Sequence, residues 1–486
     1  MFKLESLKKH FWIIVLVLVY IIANMILSYK EVYYLNLLPI VVFIVFLALI
    51  RLDLLYFMVI FLTPLSIQLI EFAPNSTFDF DIPTEPLLFG IMIIFIYKLV
   101  RERNFDPRIF NHPVTYAILF NLFWIFITSL TSSMPVVSLK FLLAKSWFFI
   151  TFYFLAIYVF RKTSNITAFV WTYAIPMLFV ILYAINRHLG HGLFDKEAAH
   201  TVMTPFFRDH TSYGAVLAML IFAVGGFIVY LRKNIFAQFL YVVTMLLIII
   251  AIVLSFTRAA WLSIVISLGV MIITLLKIKF KYVMLAGTLI IVYFIGQRLV
   301  LVQKMEMNRI ESSARISDHL KSMSNIKTDE SNLERLNRWG SAFRMFQERP
   351  LLGWGPATYS FKYGPFQLNK TSISTDNGDM GNAHSEYIGP LAEQGVLGPV
   401  SFIVIAIFTL ITGFRVYHRL NDPQLKNIVL GFILGFISYM IHGTLNNFLD
   451  TDKACALFWG FAAVFVSLDI FYLPHQTLSE SAKEDN

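Results

Sequence analysis

Apolar runs close to the ~20 residues that a helix needs to cross a bilayer recur along most of the chain. Each is closed by a short polar break that usually holds lysine or arginine. They fall at 11–28, 33–50, 54–72, 86–100, 113–131, 139–160, 165–186, 212–231, 236–254, 259–276 and 280–297. After a long polar interval they resume at 397–414, 427–445 and 455–473. Some are short for a full crossing, so the pattern predicts an all-α polytopic membrane protein with about 12–14 transmembrane helices. Helices 1–11 occupy 1–297, a long loop occupies 298–395, helices 12–14 occupy 396–473, and 474–486 form a polar tail. The first run follows a Lys-containing start but has no small-residue cleavage site after it, which reads as an anchored first span.

The long loop is mixed. Residues 311–331 and 367–381 are rich in Ser, Asn, Asp, Lys and Gly and poor in apolar residues, so mobility is expected there. Ser331 and Glu334 have capping-box spacing and open a predicted helix over 332–348. In it Leu333, Leu336, Phe343 and Phe346 share one face, with Trp339 nearby, and Arg335, Arg338 and Arg344 take other positions. Such a helix suits the membrane surface or the cap of a cavity. Pro350 ends it, and Leu-Leu-Gly-Trp-Gly-Pro (351–356) reads as a tight turn. A second short helix is predicted over 383–394, with Asn382 as N-cap and Gly395 just past its end.

Composition agrees with the pattern. The chain is 58% hydrophobic and 14% charged, against about 45–50% and about 25% in soluble domains. That excludes a soluble enzyme, a disordered chain and a fibrous repeat. The single cysteine, Cys455, allows no internal disulfide. The net charge of +9 is largely a topology signal. With a cytoplasmic N-terminus, 19 of the 39 Lys and Arg fall in cytoplasmic loops, and every alternate loop is basic. That places both termini in the cytoplasm. The long loop, then extracytoplasmic, carries 12 Lys/Arg against 11 Asp/Glu and is no polyanion-binding arm. Nucleic acid is therefore not an expected partner. No internal repeat stands out, nor a pair of interrupted spans of the kind inverted-repeat transporters show.

Ionisable residues at membrane depth are functional candidates by default, and four places on the expected outer side hold them. Arg258, in a very short hairpin, is either a snorkelling anchor or a clamp for a diphosphate, since guanidinium is always charged and binds phosphate oxygens in a bidentate way. His384 is either a hydrogen-bonded surface histidine or a general base. Glu386 and Tyr387 beside it can orient it or bind a sugar hydroxyl. Arg208, Asp209 and His210 form either a salt-bridged loop end or a substrate contact. Lys140 can snorkel, whereas Lys145 is deeper and suits a polar cavity or an anionic ligand. Asp79 and Asp81 resemble an acidic metal pair but read more simply as solvated carboxylates, and Asn446, Asn447, Asp450 and Asp452 add polar contacts or helix caps. There is no Walker motif, Gly-rich nucleotide loop or zinc-ligand spacing, so neither metal nor cofactor is expected. Several cations, one histidine and lipid surroundings suit a lipid-linked diphosphate.

Four motifs in order around the long loop carry a resemblance: Ser-Phe-Thr-Arg-Ala-Ala-Trp (255–261), Arg-Trp-Gly-Ser-Ala-Phe-Arg-Met-Phe (338–346), Pro-Leu-Leu-Gly-Trp-Gly-Pro (350–356) and Asn-Ala-His-Ser-Glu-Tyr-Ile-Gly-Pro-Leu-Ala-Glu-Gln-Gly-Val-Leu-Gly (382–398). Together they resemble the O-antigen ligase and polymerase family of bacterial integral-membrane glycosyltransferases, most strongly across about 240–400. Asp-His-Thr-Ser-Tyr-Gly (209–214) is similar to the family's pre-span motif, and the first 130 or so residues match only as generic spans.

The resemblance implies a GT-C-like helical fold in the bacterial inner membrane, with an extracytoplasmic active site. It implies a glycan donor on undecaprenyl diphosphate, an essential arginine at Arg258 and an essential histidine at His384. Lys140 and Lys145 are candidates for the family's early-loop basic residues, and Arg338 joins Arg208 and His210 as a candidate substrate contact. Ser385 after the histidine suits the ligase pattern. The expected reaction is metal-independent, inverting transfer of the glycan to an acceptor hydroxyl, with lipid A–core as the leading acceptor. Alternatives are a repeat-unit polymerase, a ligase acting on a protein or cell-wall polymer, a lipid-linked glycan transporter and a structural membrane partner.

Overall fold

In a computed structural model of the protein the described residues are 2–72, 80–102, 105–228, 235–278, 330–367 and 381–474. The expected span at 280–297, the loop before 330, Asp79 and the tail after 474 lie outside them, as do the side chains of Ser331, Leu333 and Glu334. The chain divides into two compact units at Met58/Val59.

In the first unit, α1 (Phe2–Tyr29) and α2 (Leu38–Ile50) are joined by a single 3-10 turn, Tyr34–Leu37. The Tyr20 hydroxyl donates to the Leu35 carbonyl (3.3 Å), and the Asn24 amide donates to Asn36 Oδ1 (2.7 Å). Their apolar side chains are mostly exposed, as lipid-facing helices require.

Helix α3 (Leu52–Leu62) crosses the division. A continuous span over 54–72 was expected, but the helix tightens at Thr63–Leu65 and breaks at Ser66, which is extended. The Ser66 hydroxyl turns to the Thr63 carbonyl (2.9 Å) and to Asp452 Oδ2 (2.7 Å), so a side-chain bond competes with helix continuation. Ile67–Gln68 then pairs antiparallel with Asp81–Ile82. Among the described residues everything else regular is helical. The succession is α4 (Thr84–Glu102), α5 (Pro113–Leu130), α6 (Pro135–Val159), α7 (Thr163–His191), α8 (His210–Gly225), α9 (Ile235–Leu254) and α10 (Arg258–Leu275). After the loop come α11 (Glu330–Glu348), α12 (Ile388–Gln394), α13 (Leu397–Arg419), α14 (Pro423–His442) and α15 (Asp452–Tyr472). Among the described residues, eight helices are long and apolar enough to cross a membrane, and four apolar helices are shorter. The protein is an all-α polytopic membrane protein.

Helix α15 is the axis of the second unit: every residue of 452–467 is buried. A helix apolar on all sides belongs at the centre of a bundle. Phe458 and Phe461 stack on Phe436 (4.3 Å) and Phe432 (4.7 Å) of α14. Helices α8 and α14 approach closely at glycines, since a Cβ on Gly431 would meet the Phe222 carbonyl. Small residues permit such backbone contact in membranes. Ser263 of α10 hydrogen-bonds Ser438 of α14 (2.9 Å).

Residues 338–366 and 381–395 add a small core of their own, including Ala342, Met345, Tyr359, Ala383 and Ala392. The buried face of α11 carries Arg338, Ser341, Ala342 and Met345, while Leu336 (41%) and Phe343 (48%) are exposed. The helix lies on a polar loop whose carbonyls need donors, so its arginine side turns inward. The short helix begins at Ile388 rather than at 383. The Ser385 hydroxyl takes the Tyr387 and Ile388 amides (3.2 and 3.3 Å), and Asn382 Oδ1 takes the His384 amide (2.9 Å). These local bonds hold 382–387 as a loop. Gly395 ends α12 as expected, at φ +69°, with the Leu351 carbonyl where a Cβ would stand. The 351–356 turn seats on that end: Trp354 N–H donates to Ala392 O (3.1 Å) and Gly355 N–H to Glu393 O (2.7 Å).

Candidate functional site

The loop 381–387 is gripped from two directions. From α11, Arg338 Nη1 donates to the Asn382 carbonyl (2.8 Å) and Trp339 Nε1 to the Ala383 carbonyl (3.0 Å). A Cβ on Gly381 would strike the Arg338 guanidinium, which is itself only 3% exposed. One turn earlier, Arg335 Nε donates to the Leu445 carbonyl (3.3 Å). From the other side the Glu386 amide donates to Gly443 O (2.8 Å) beyond α14. His384 sits between these grips with φ +47°, a left-handed conformation that costs a non-glycine residue and recurs at functional sites. Burial, then the Arg338 and Arg335 charges, push its pKa down to about 4, against an opposing pull from Asp209. It is therefore neutral at neutral pH, with a lone pair available to accept a proton.

Asp209 marks where the N-terminus of α8 enters the same neighbourhood. Its carboxylate caps that helix, accepting from the Thr211 and Ser212 amides (2.8 and 2.7 Å). The Thr257 hydroxyl donates to the His210 carbonyl (2.8 Å), and Gly214 leaves room for Thr257. That pairing sets the first residue of α10, the half-buried Arg258, beside the start of α8. The His210 ring stacks on His200 (4.1 Å, 10°). Asp209 and Arg335 also act on His442, at the end of α14. Two helix N-termini, each a centre of positive potential, thus meet Arg258, Arg335, Arg338 and His384 at one end of the bundle.

A cavity of about 220 Å³ lies against the same loop, with Asn382, Ala383, Ser385 and Glu386 in its wall. Lys145 faces it, donating to the Leu449 carbonyl and lying 5.2 Å from the Phe141 ring. Glu386 Oε1 accepts from the Tyr439 hydroxyl (2.6 Å) and the Phe448 and Leu449 amides (both 2.9 Å). Burial raises the Glu386 carboxyl above its usual range, with Lys145 opposing. The Tyr387 hydroxyl donates to the Met440 carbonyl (2.9 Å). Glu386 and Tyr387, shortly after the histidine, therefore tie the loop to α14 and the segment after it. Lys140 is exposed on α6, outside the lining of this cavity.

Arg208 stands apart from the arginine cluster. It lines a smaller cavity of about 40 Å³, against the Gln68 amide. Below it runs a buried network: Lys453 Nζ donates to Ser66 Oγ (2.7 Å) and lies 3.3 Å from Asp452 and 3.8 Å from Asp81. Asp452 also accepts from the Thr84 hydroxyl. Burial and Asp452 push Asp81 up to about 6, against Lys453 and Arg208. Among the described residues no group of three or more His, Cys, Asp or Glu is arranged to hold a metal ion.

The structure thus brings His384, Arg338, His210 and Arg258 to one end of the bundle. It gives Lys145 and Glu386 to the neighbouring cavity, Arg208 to another, and leaves Lys140 outside both. Sequence reasoning passed over Arg335 and His442; Arg335 precedes Arg338 by one helical turn, which is the signal that could have found it. It also missed the Asp452–Lys453 pair as a buried network, although two adjacent charges opening a long apolar run are unusual at that depth.

A multi-helix membrane protein with cations and a histidine gathered at one bundle end defines the class. Residues 243–403, which include Arg258, Arg338 and His384, match the family model described as O-antigen ligase. That match supports the O-antigen ligase/polymerase family. The chain is also similar to a protein of Haemophilus influenzae described only as uncharacterized, at 24% identity over 226 residues, 46% of this chain and 55% of that protein. The chain thus spans about half the length of the curated relative it matches.

Proposed function

We propose that the protein is an O-antigen ligase-like glycosyltransferase working on the extracytoplasmic face of the bacterial inner membrane. It moves a glycan from undecaprenyl diphosphate to an acceptor hydroxyl, with lipid A–core as the acceptor. The observation that carries this reading is the meeting of a neutral histidine, two arginines of α11 and the N-termini of α8 and α10 around one loop. The acceptor oxygen attacks the anomeric carbon as the carbon–oxygen bond to the diphosphate breaks, which inverts that centre. His384 takes the acceptor's proton. Charge developing on the leaving diphosphate meets Arg258 and Arg335 in a partly buried site, where such stabilisation is strongest, and the buried Arg338 adds its positive field from behind the loop it holds. His210 stands at the start of α8 beside these cations, and the polyprenyl tail stays among lipids.

The test is transfer by purified protein from an undecaprenyl diphosphate-linked repeat unit to lipid A–core, with and without EDTA. Product on lipid A–core that survives EDTA supports the reading. Extension on the carrier alone makes the protein a polymerase. Loss with EDTA points to a metal. Flipping of the lipid-linked glycan without transfer makes it a transporter.

A further inference from the structure

The cavity beside Lys145 has a chemistry opposite to that of the arginine cluster. Its one ammonium faces three carboxyl groups, Glu386, Glu393 and Asp450. It also contains two buried amide oxygens without a partner, Gln394 Oε1 and Asn447 Oδ1. Gln394 is 3% exposed. Native proteins rarely leave such buried acceptors unsatisfied, so each calls for an explanation. One wall is aromatic, formed by Trp459 and Phe149 with ring centroids 4.5 Å apart. The volume of about 220 Å³ is below the roughly 300–1,000 Å³ of pockets for drug-sized ligands, so it holds one ring and not a chain.

An anion is repelled by three carboxyls. A purely apolar group leaves the amide oxygens unsatisfied. A compact ring carrying hydroxyl donors on its rim and C–H groups on its face satisfies both the amide oxygens and the aromatic wall. Glu393, raised to about 7 by burial, can donate or accept toward such a rim near neutral pH. We propose that this cavity binds a single uncharged pyranose ring. It presents that ring across the Asn382–Glu386 loop from the arginine cluster. Asn382, Ala383, Ser385 and Glu386 line the cavity and His384 does not, so one loop separates the sugar-holding side from the charge-holding side. The role of the ring in transfer rests on the function proposed above; its binding does not.

The experiment is saturation-transfer NMR on the full chain in nanodiscs, with the methyl β-pyranosides of glucose, galactose and N-acetylglucosamine as probes. At least one should give a saturable signal, and the neutral ring should bind at least tenfold more tightly than its 6-phosphate. Gln394→Leu and Asn447→Leu should each weaken binding at least tenfold, while His384→Ala leaves it within about twofold. The proposal falls when none of the three neutral rings binds the wild type, when the 6-phosphate binds as well as the neutral ring, or when either folded variant binds as the wild type does. The wild-type comparison decides the matter even where a variant fails to fold. In the transfer assay, Gln394→Leu should raise KM for the acceptor alone if the ring is the acceptor's, and for the donor alone if it is the donor's. Unchanged KM for both overturns the ring's role in transfer. Transfer without sugar binding sinks this inference and leaves the enzyme. Sugar binding without transfer does the reverse.

Discussion

The two sides of the Asn382–Glu386 loop differ in sign. One side meets Arg335, Arg338 and two helix N-termini, with Asp209 as the carboxylate acting on His384. The other meets Glu386, Glu393 and Asp450, with Lys145 as the cation. A short loop pinned at both ends keeps them apart. Under the function and sugar site proposed above, opposite potentials so close together would sort the parts of a glycolipid by charge: the phosphates to one side, the neutral sugar to the other. Had both sides been cationic, the diphosphate would have had two competing seats.

The contrast can be broken first at its catalytic side. His384→Ala and Arg258→Ala are each expected to lower transfer by roughly 10²–10⁴-fold while the protein still inserts, and normal rates from both in the purified assay would end the proposal. Next comes the cation of the acidic side. Lys145→Met removes the bond to Leu449 and leaves the carboxyls without their counter-charge, so a loss of about 1–3 kcal/mol of stability is expected, read as a lower Tm in detergent. Gly395→Ala should cost about 1–3 kcal/mol, because its φ is +69° and the Leu351 carbonyl occupies the Cβ position; an unchanged Tm would show that the turn relaxes freely. The pH profile sharpens the charged side. A histidine lowered to about 4 stays in its base form above about pH 5, so kcat/KM should hold from pH 7 to about 5.5 and fall only further down. An acid limb near 6.5, the ordinary histidine value, would mean the arginines do not govern His384. The smallest effect belongs to Lys140→Ala, within about twofold, since Lys140 is exposed outside the cavity lining.

Much of the bundle was legible because hydrocarbon imposes its own length. Segments such as 113–131, 236–254 and 259–276 lie within a residue of Pro113–Leu130, Ile235–Leu254 and Arg258–Leu275. The span expected over 54–72 failed because Ser66 bonds Asp452, a residue nearly four hundred positions away, and hydropathy does not register that partner. The Leu336/Phe343 stripe of α11 was visible at helical spacing and is exposed, as a helix on a membrane surface allows. In a soluble helix an apolar stripe faces the core, whereas here it stays outside and the arginine face meets polar backbone. His384 and Arg258 were picked out singly from their motifs. Their surroundings were not, because Arg335, Arg338 and Asp209 are brought to His384 by packing across three separated segments.

The amino-acid order alone determined a many-spanning helical membrane protein, a helix end at Gly395, and motifs that match the O-antigen ligase family model. These depend on hydrophobic run length and on bonds between residues within a few positions of each other. Only the tertiary structure decided which cations act on His384, that Lys145 faces acids, and that Arg208 and Lys453 belong to a separate network. Electrostatic environment and cavity shape are sums over neighbours far apart in the chain, and no local pattern contains those sums.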